Sequence, residues 1–119
     1  GHCNDVPGLL KGHQICVLST HYEGMPLSLI EGMAAGCAVV GSRVVGVQEV
    51  IDSGRTGLLV DHASPEALAD AFAALLAQPQ DAARMAEAAH AEVLQRYGLG
   101  TMTARYESLL SGLLERPLP

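Results

Sequence analysis

Two glutamates eight positions apart, Glu23 and Glu31, carry the strongest chemical signal in the chain, within residues 19–46, STHYEGMPLSLIEGMAAGCAVVGSRVVG. Glu31 is the sole charged residue between Gly24 and Ser42. A carboxylate is costly to bury unless paired or hydrogen-bonded, so an isolated one in apolar, glycine-rich company points to a ligand. A carboxylate accepts hydrogen bonds and can hold two vicinal hydroxyls. Gly24 has no Cβ and lets a phosphate or a sugar hydroxyl approach the backbone. The helix start expected after it offers free N–H groups and a positive dipole end to an anion. These residue types together fit a ligand that carries both phosphates and hydroxyls.

The elements that must position these groups follow from the local pattern. Residues 14–18, QICVL, are apolar and β-branched and read as a buried strand. Residues 19–24 are polar, end in glycine and form the loop leaving that strand. Pro26 suits the first position of a helix over residues 27–35, closed by Gly36 as its C-terminal cap. Residues 37–40, CAVV, read as a second buried strand. A strand–loop–helix–strand unit with apolar strands argues for an α/β fold with a parallel, Rossmann-like sheet. Glu23 then lies beyond the carboxyl end of a strand and Glu31 about one turn inside the helix. Open α/β sheets bind ligands in that crevice.

The resemblance carried by these residues extends well past the glutamates. Glu23-Gly-Met-Pro-Leu-Ser-Leu-Ile-Glu31 resembles the E-x7-E signature of retaining, nucleotide-sugar-dependent glycosyltransferases with two facing Rossmann-like domains, the GT-B fold, and most closely those of the group 1 or family four type. Asp5-Val-Pro, Val39-Val40-Gly-Ser, Gly46-Val-Gln-Glu49, Gly54-Arg-Thr-Gly57-Leu-Leu-Val60 and Pro65-Glu-Ala-Leu fall in the order and spacing of that family. The likeness runs from about Gly1 to Phe72 and loosely to the C-terminus. The pattern departs where Gly32 replaces a frequent alanine and Ala38 a frequent proline.

That resemblance implies roles residue by residue. Glu23 is the carboxylate near the reacting centre of the donor sugar, and so the catalytic candidate. Gly24, Met25, Pro26 and Leu27 form the loop against the sugar hydroxyls and the diphosphate. Glu31 holds the ribose hydroxyls. Ser19 and Glu49 are further donor-site candidates, Glu49 either closing the nucleotide site or simply starting a helix. The implied reaction transfers a sugar from a nucleoside diphosphate sugar to an acceptor hydroxyl, with retention and without a metal or other cofactor, in polysaccharide, lipopolysaccharide or glycoconjugate biosynthesis. A sugar or lipid-linked acceptor would bind the N-terminal domain. By this resemblance residues 1–119 are one donor-binding domain, a fragment lacking the acceptor domain and the first units of its own sheet, and inactive alone. Gly1 and His2 are either native or a tag remnant.

Composition narrows the remaining classes. The chain has 119 residues, enough for one domain, and 49% of them are hydrophobic, enough for a core despite the absence of tryptophan. A net charge of −6 argues against nucleic acid and anionic membrane surfaces as general partners. Signal and membrane-spanning segments are not evident, so the expected location is cytoplasmic, with peripheral attachment at the inner face of the membrane left open for a full-length protein. Cys3, Cys16 and Cys37 read as reduced, buried thiols. His2, His13, His62 and His90 lack metal-ligand spacing with a cysteine. His21 reads as a surface loop residue, and Arg43 and Arg55 as solvated side chains.

The rest of the chain reads as alternating elements. Asp5 caps a short helix reaching about Lys11, residues 41–46 form a loop, 47–53 a helix ended by Gly54, and 57–60 a third strand. Ser64 and Pro65 open a helix whose apolar face is Leu68, Phe72, Leu75 and Leu76, broken by Pro79. Residues 81–97 form a helix with Met85, Ala89, Val93 and Tyr97 on one side, capped by Gly98. Met102, Tyr106, Leu109, Leu110 and Leu113 mark a last helix before the tail at residues 116–119. Exposed, that apolar stripe would drive self-association. Two competing readings are a non-catalytic nucleotide-sugar-binding module and a flavodoxin-like α/β scaffold domain. The second predicts clustered aspartates at strand ends, which this sequence lacks.

Overall fold

The structure, a computed structural model, describes residues 2–114. Gly1 and the tail at residues 116–119 lie outside the described residues. In order, the elements are α1 (Val6–Lys11), β1 (Ile15–Leu18), α2 (Leu27–Ala34), β2 (Ala38–Ser42), α3 (Val45–Gln48), β3 (Leu58–Val60), α4 (Pro65–Ala77), α5 (Pro79–Tyr97) and α6 (Leu99–Leu114). The three strands form one parallel sheet in the order β1-β2-β3. Ile15 pairs with Ala38 and Val40 with Leu58. The expected α/β fold with a parallel sheet and flanking helices is therefore the observed one.

β2 is buried along its whole length and feeds both faces of the sheet. Its side chains alternate, as a strand requires. Val39 joins Leu29, Met33, Val47, Val50, Ile51, Ala89 and Val93 on one side, where α2, α3 and α5 pack. Ala38 and Val40 face Ala71, Leu75 and Ala86 on the other, under α4 and the start of α5. A strand covered on both faces has no polar side to show, which explains the unbroken AVVG run.

Several boundaries differ from the sequence reading, each for a physical reason. β2 continues through Gly41 and Ser42, because a bare backbone is needed there. A Cβ on Gly41 would stand 2.5 Å from Val47 Cγ1 and 3.2 Å from Leu29 Cδ1. The glycine marks close packing, not a loop. α3 consequently begins at Val45, earlier than residue 47, and spans four residues. Pro26 is the N-cap of α2 and not its first helical residue (φ −78°, ψ 77°). Pro79 opens α5 instead of merely ending α4, with Gln78 serving as the cap of both. Gly36 takes φ +85° just past α2, the left-handed stop anticipated for it.

The side-chain expectations divide similarly. Asp5 caps α1, its Oδ1 accepting from the Gly8 amide at 2.9 Å. Leu76 is 68% exposed, and Ala71 takes its place in the core. Cys37 is buried and Cys16 half-buried, but Cys3 is exposed, near the start of the chain and outside any element. Burial, with Cys37 and Glu31 nearby, pushes the Cys16 thiol up, and burial alone does so for Cys37. Arg43 and Arg55 are not simply solvated. Arg43 pairs with Asp61 at 3.4 Å and donates to the Leu59 carbonyl, while Arg55 pairs with Asp52 and Glu92. α6 has no buried residue, so its apolar stripe lies open. Among the described residues no helix is long and apolar enough to cross a membrane.

Candidate functional site

The loop from β1 to α2 is tied down at its start and open at its end. The Thr20 amide donates to the buried Ser42 Oγ at 2.9 Å, joining the exits of β1 and β2. Thr20 Oγ1 donates to the Tyr22 carbonyl at 2.9 Å, a local turn. The chain then passes Glu23, which is half-buried, and Gly24, which is exposed with nothing within 4 Å of where a Cβ would stand. Met25 and Leu27 are 56% and 60% exposed, whereas Pro26 between them is buried and anchors the turn.

α2 starts without any side-chain cap. The free N–H groups expected at this helix start are largely spoken for: the Leu27 amide donates to the Met25 carbonyl at 2.9 Å, and the Leu29 and Ile30 amides to the Pro26 carbonyl at 3.0 and 3.1 Å. What the exposed start keeps for an anion is the Ser28 amide and the positive end of the helix dipole. Leu29, Gly32 and Met33 turn inward, leaving Leu27, Ser28 and Glu31 outward. Glu31 lies one turn beyond Leu27, and helical side chains lean toward the N-terminus. Its carboxylate is thus directed back toward the 24–27 loop. Glu31 is exposed, which overturns the burial argument made from its apolar surroundings. The neighbouring apolar residues serve the inner face of α2, and no desolvation cost needs to be offset. What singles out Glu31 is its place on the open face beside an uncapped helix start.

The glycines explain how the site is held in shape. A Cβ on Gly46 would stand 2.4 Å from the Glu23 carbonyl oxygen and 2.5 Å from that of Gly24. α3 therefore lies backbone to backbone against the loop. A Cβ on Gly32 would stand 2.8 Å from Cys16 Sγ, so α2 sits directly on β1. Cys16 Sγ completes that contact by donating to the Ser28 carbonyl at 3.7 Å. Glu23, Gly24, Met25, Pro26, Leu27 and Glu31 come together at the carboxyl end of β1.

The two further candidates sit apart from them. Ser19 lines a cavity of about 300 Å³ together with His21, Ser42, Val60 and Ser64, across the ends of the three strands. Glu49 is the C-cap of α3, at the opposite end from the loop contact, and its side chain is exposed. Sequence reasoning missed Ser42 and the structural part of Gly46. Ser42 looks like an ordinary strand-end hydroxyl, and Gly46 was visible only as part of a motif.

Comparison with known proteins gives the chain's family and fold. Residues 1–78 match the family described as "Glycosyl transferases group 1". N-acetyl-alpha-D-glucosaminyl L-malate synthase of Bacillus anthracis is 30% identical over 114 residues, 96% of this chain and 30% of that protein. GDP-mannose-dependent alpha-(1-6)-phosphatidylinositol monomannoside mannosyltransferase of Mycolicibacterium smegmatis is 37% identical over 93 residues, 78% of this chain and 24% of that protein. The crystal structure of Anabaena HepE in complex with UDP superposes with a TM-score of 0.90 at 23% identity, covering 92% of this chain and 30% of HepE. That likeness establishes the fold, shared with GT-B glycosyltransferases. The chain spans about 30% or less of the length of these proteins. The chain belongs to the group 1 glycosyl transferases.

Proposed function

We propose that this chain is the donor-binding part of a retaining glycosyltransferase of the family four type, with Glu23 and Glu31 as the E-x7-E pair. The observation that carries the reading is the uncapped start of α2, with Gly24 open before it and Glu31 exposed one turn after it. The loop and helix start take the diphosphate, and Glu31 takes the ribose hydroxyls. Glu23 orients the donor sugar. In transfer, an oxocarbenium-like centre develops while the diphosphate leaves, so fixed dipoles aimed at the phosphates lower the barrier. Glu23 acts there by positioning and not as the nucleophile of a retaining hydrolase, whose two carboxylates flank the bond. No metal takes part in this scheme; within this chain the dipole of α2 faces the diphosphate.

The relatives act with differently named donors and acceptors, so the reading extends to the class only: a nucleoside diphosphate sugar, and a sugar or lipid-linked hydroxyl. Transfer is proposed for a protein that contains this chain, in glycoconjugate or polysaccharide synthesis at the cytoplasmic side, and not for these 119 residues alone. The open stripe on α6 supports weak self-association of the isolated chain.

Calorimetric titration of wild type and Glu31→Ala with UDP, GDP and ADP tests the site. A hydrogen bond to a charged group contributes about 1.5–3 kcal/mol, so Glu31→Ala weakens the preferred nucleotide about tenfold or more. Equal binding by the two proteins removes the ribose role.

A further inference from the structure

We propose that Arg96, on α5, is a positioning residue for the loop that carries Glu23 and Gly24, acting through α3. The inference deepens the donor-site reading above and rests on it. Arg96 Nη2 donates to the Glu49 carbonyl at 3.2 Å, which is the C-cap of α3. Its Nη1 donates to Glu92 Oε1 at 2.7 Å, and its guanidinium lies 5.2 Å from the centre of the Tyr97 ring. The side chain is thus fixed from two directions besides its hold on α3.

Glu92 is gripped from the other side by Arg55, which also pairs with Asp52 Oδ2 at 2.6 Å. Asp52 follows closely on α3, and its carbonyl accepts from the Thr56 amide at 2.8 Å in a tight turn. α5 therefore holds the segment after α3 directly at Glu49, through Arg96, and at Arg55, through Glu92, and Arg55 passes that hold to Asp52. Hydrogen bonds from Arg96 and then Arg55 hold the Glu92 carboxyl below its usual range.

α3 needs such a hold. It is a single turn with no side-chain cap, and one turn of helix is not stable alone. Its Gly46 backbone is pressed on the carbonyls of Glu23 and Gly24, where a Cβ would come within 2.4 Å. A displacement of α3 is therefore passed to the loop without slack. The 19-residue α5 is the rigid body in this sequence of contacts: Ala89 and Val93 pack on Val47, Val50 and Ile51 in the core, and Arg96 adds the polar hold at the C-cap of α3.

The test compares amide spectra of the 119-residue chain with those of Arg96→Met, Arg96→Lys and the control Arg84→Met. Arg84 pairs with Asp81 on the same helix and does not reach α3. Arg96→Met is expected to shift Glu23 and Gly24 along with α3 while the β2 amides stay in place; Met25 and Leu27, which line one cavity with Arg96, respond directly and are left out of the readout. Arg96→Lys restores part of the shift, and Arg84→Met leaves the loop unchanged. In the same samples, titration with UDP, GDP and ADP gives an affinity about three- to tenfold weaker for Arg96→Met than for wild type. Loop amides that do not move in a folded Arg96→Met overturn the proposal, as do shifts spread evenly over both cores. A loop that moves in a wild-type background that binds none of the nucleotides sustains the positioning role and sinks the donor-site reading instead.

Discussion

Gly46 and Gly24 lie on either side of one contact, and alanine at the two positions should have opposite consequences. Gly46→Ala puts a methyl carbon 2.4 Å from the Glu23 carbonyl oxygen, whereas ordinary contact begins at 3.4 Å. The three nearest atoms to a Cβ at Gly46, the carbonyl oxygens of Glu23 and Gly24 and the carbonyl carbon of Glu23, are all backbone, so no side chain can swing aside, and α3 or the loop must move by about 1 Å. Overpacking of this kind costs about 1–3 kcal/mol. Alanine recovers roughly 0.5–1 kcal/mol through its better helix propensity, leaving a net loss between about 0 and 2.5 kcal/mol, centred on about 1 kcal/mol. For a domain of this size that central value lowers Tm by about 3–6 °C. Under the proposed role of Glu23, the loss of turnover in a protein containing this chain should be larger, because a misplacement of about 1 Å at a reacting centre can cost on the order of 100-fold. Gly24→Ala meets nothing within 4 Å, so its stability changes by no more than about 0.5 kcal/mol. It nevertheless puts a methyl group where the proposed donor site brings the ligand to the backbone, and so should weaken nucleotide-sugar binding. Scanning calorimetry of both variants, with nucleotide titration alongside, separates the two effects. A Gly46→Ala protein with wild-type Tm and affinity would refute the backbone contact as the support of the loop.

Two other perturbations probe the framework. Leu29, fully buried between α2 and the sheet, loses its packing in Leu29→Ala, and denaturant unfolding should show a loss of about 2–5 kcal/mol. Glu92, 18% exposed and held by hydrogen bonds from Arg96 and Arg55, has its carboxyl lowered. A lowered carboxylate contributes stability that is present above its unfolded value, about 4.3, and lost as pH falls through the native one. Tm measured from pH 7 to pH 3 should therefore fall more steeply for wild type than for Glu92→Gln, and the neutral-pH gap should be no more than about 1 kcal/mol. Parallel curves would show that Glu92 adds nothing through its charge.

The sequence displays the parts of the fold that depend on local pattern. The apolar runs at 15–18 and 38–40, the capping Asp5 and Ser64, and the left-handed Gly36 all act within a few residues of themselves. Gly41 and Gly46 were harder to place, because their reason is contact with residues distant in sequence. Gly41 lies against Leu29 and Val47, and Gly46 against the Glu23–Gly24 backbone. A glycine needed for close approach looks, in sequence, the same as one needed for a turn, and so the helix expected from residue 47 begins at Val45. Arg55 and Arg96 were invisible as a network for the same reason, since Glu92 is 37 residues from Arg55. Glu31 was legible as a candidate, but for a reason its exposure removes.

The most direct test of the donor site is a titration of the labelled protein with UDP, GDP and ADP, each with and without its sugar, followed by amide spectra. The account predicts shifts centred on Gly24, Met25, Leu27 and Glu31, saturating with one preferred nucleotide. Nucleotide-dependent shifts confined to α4, α5 or the cavity at Ser19 and Ser64, with residues 24–31 unmoved, would contradict it.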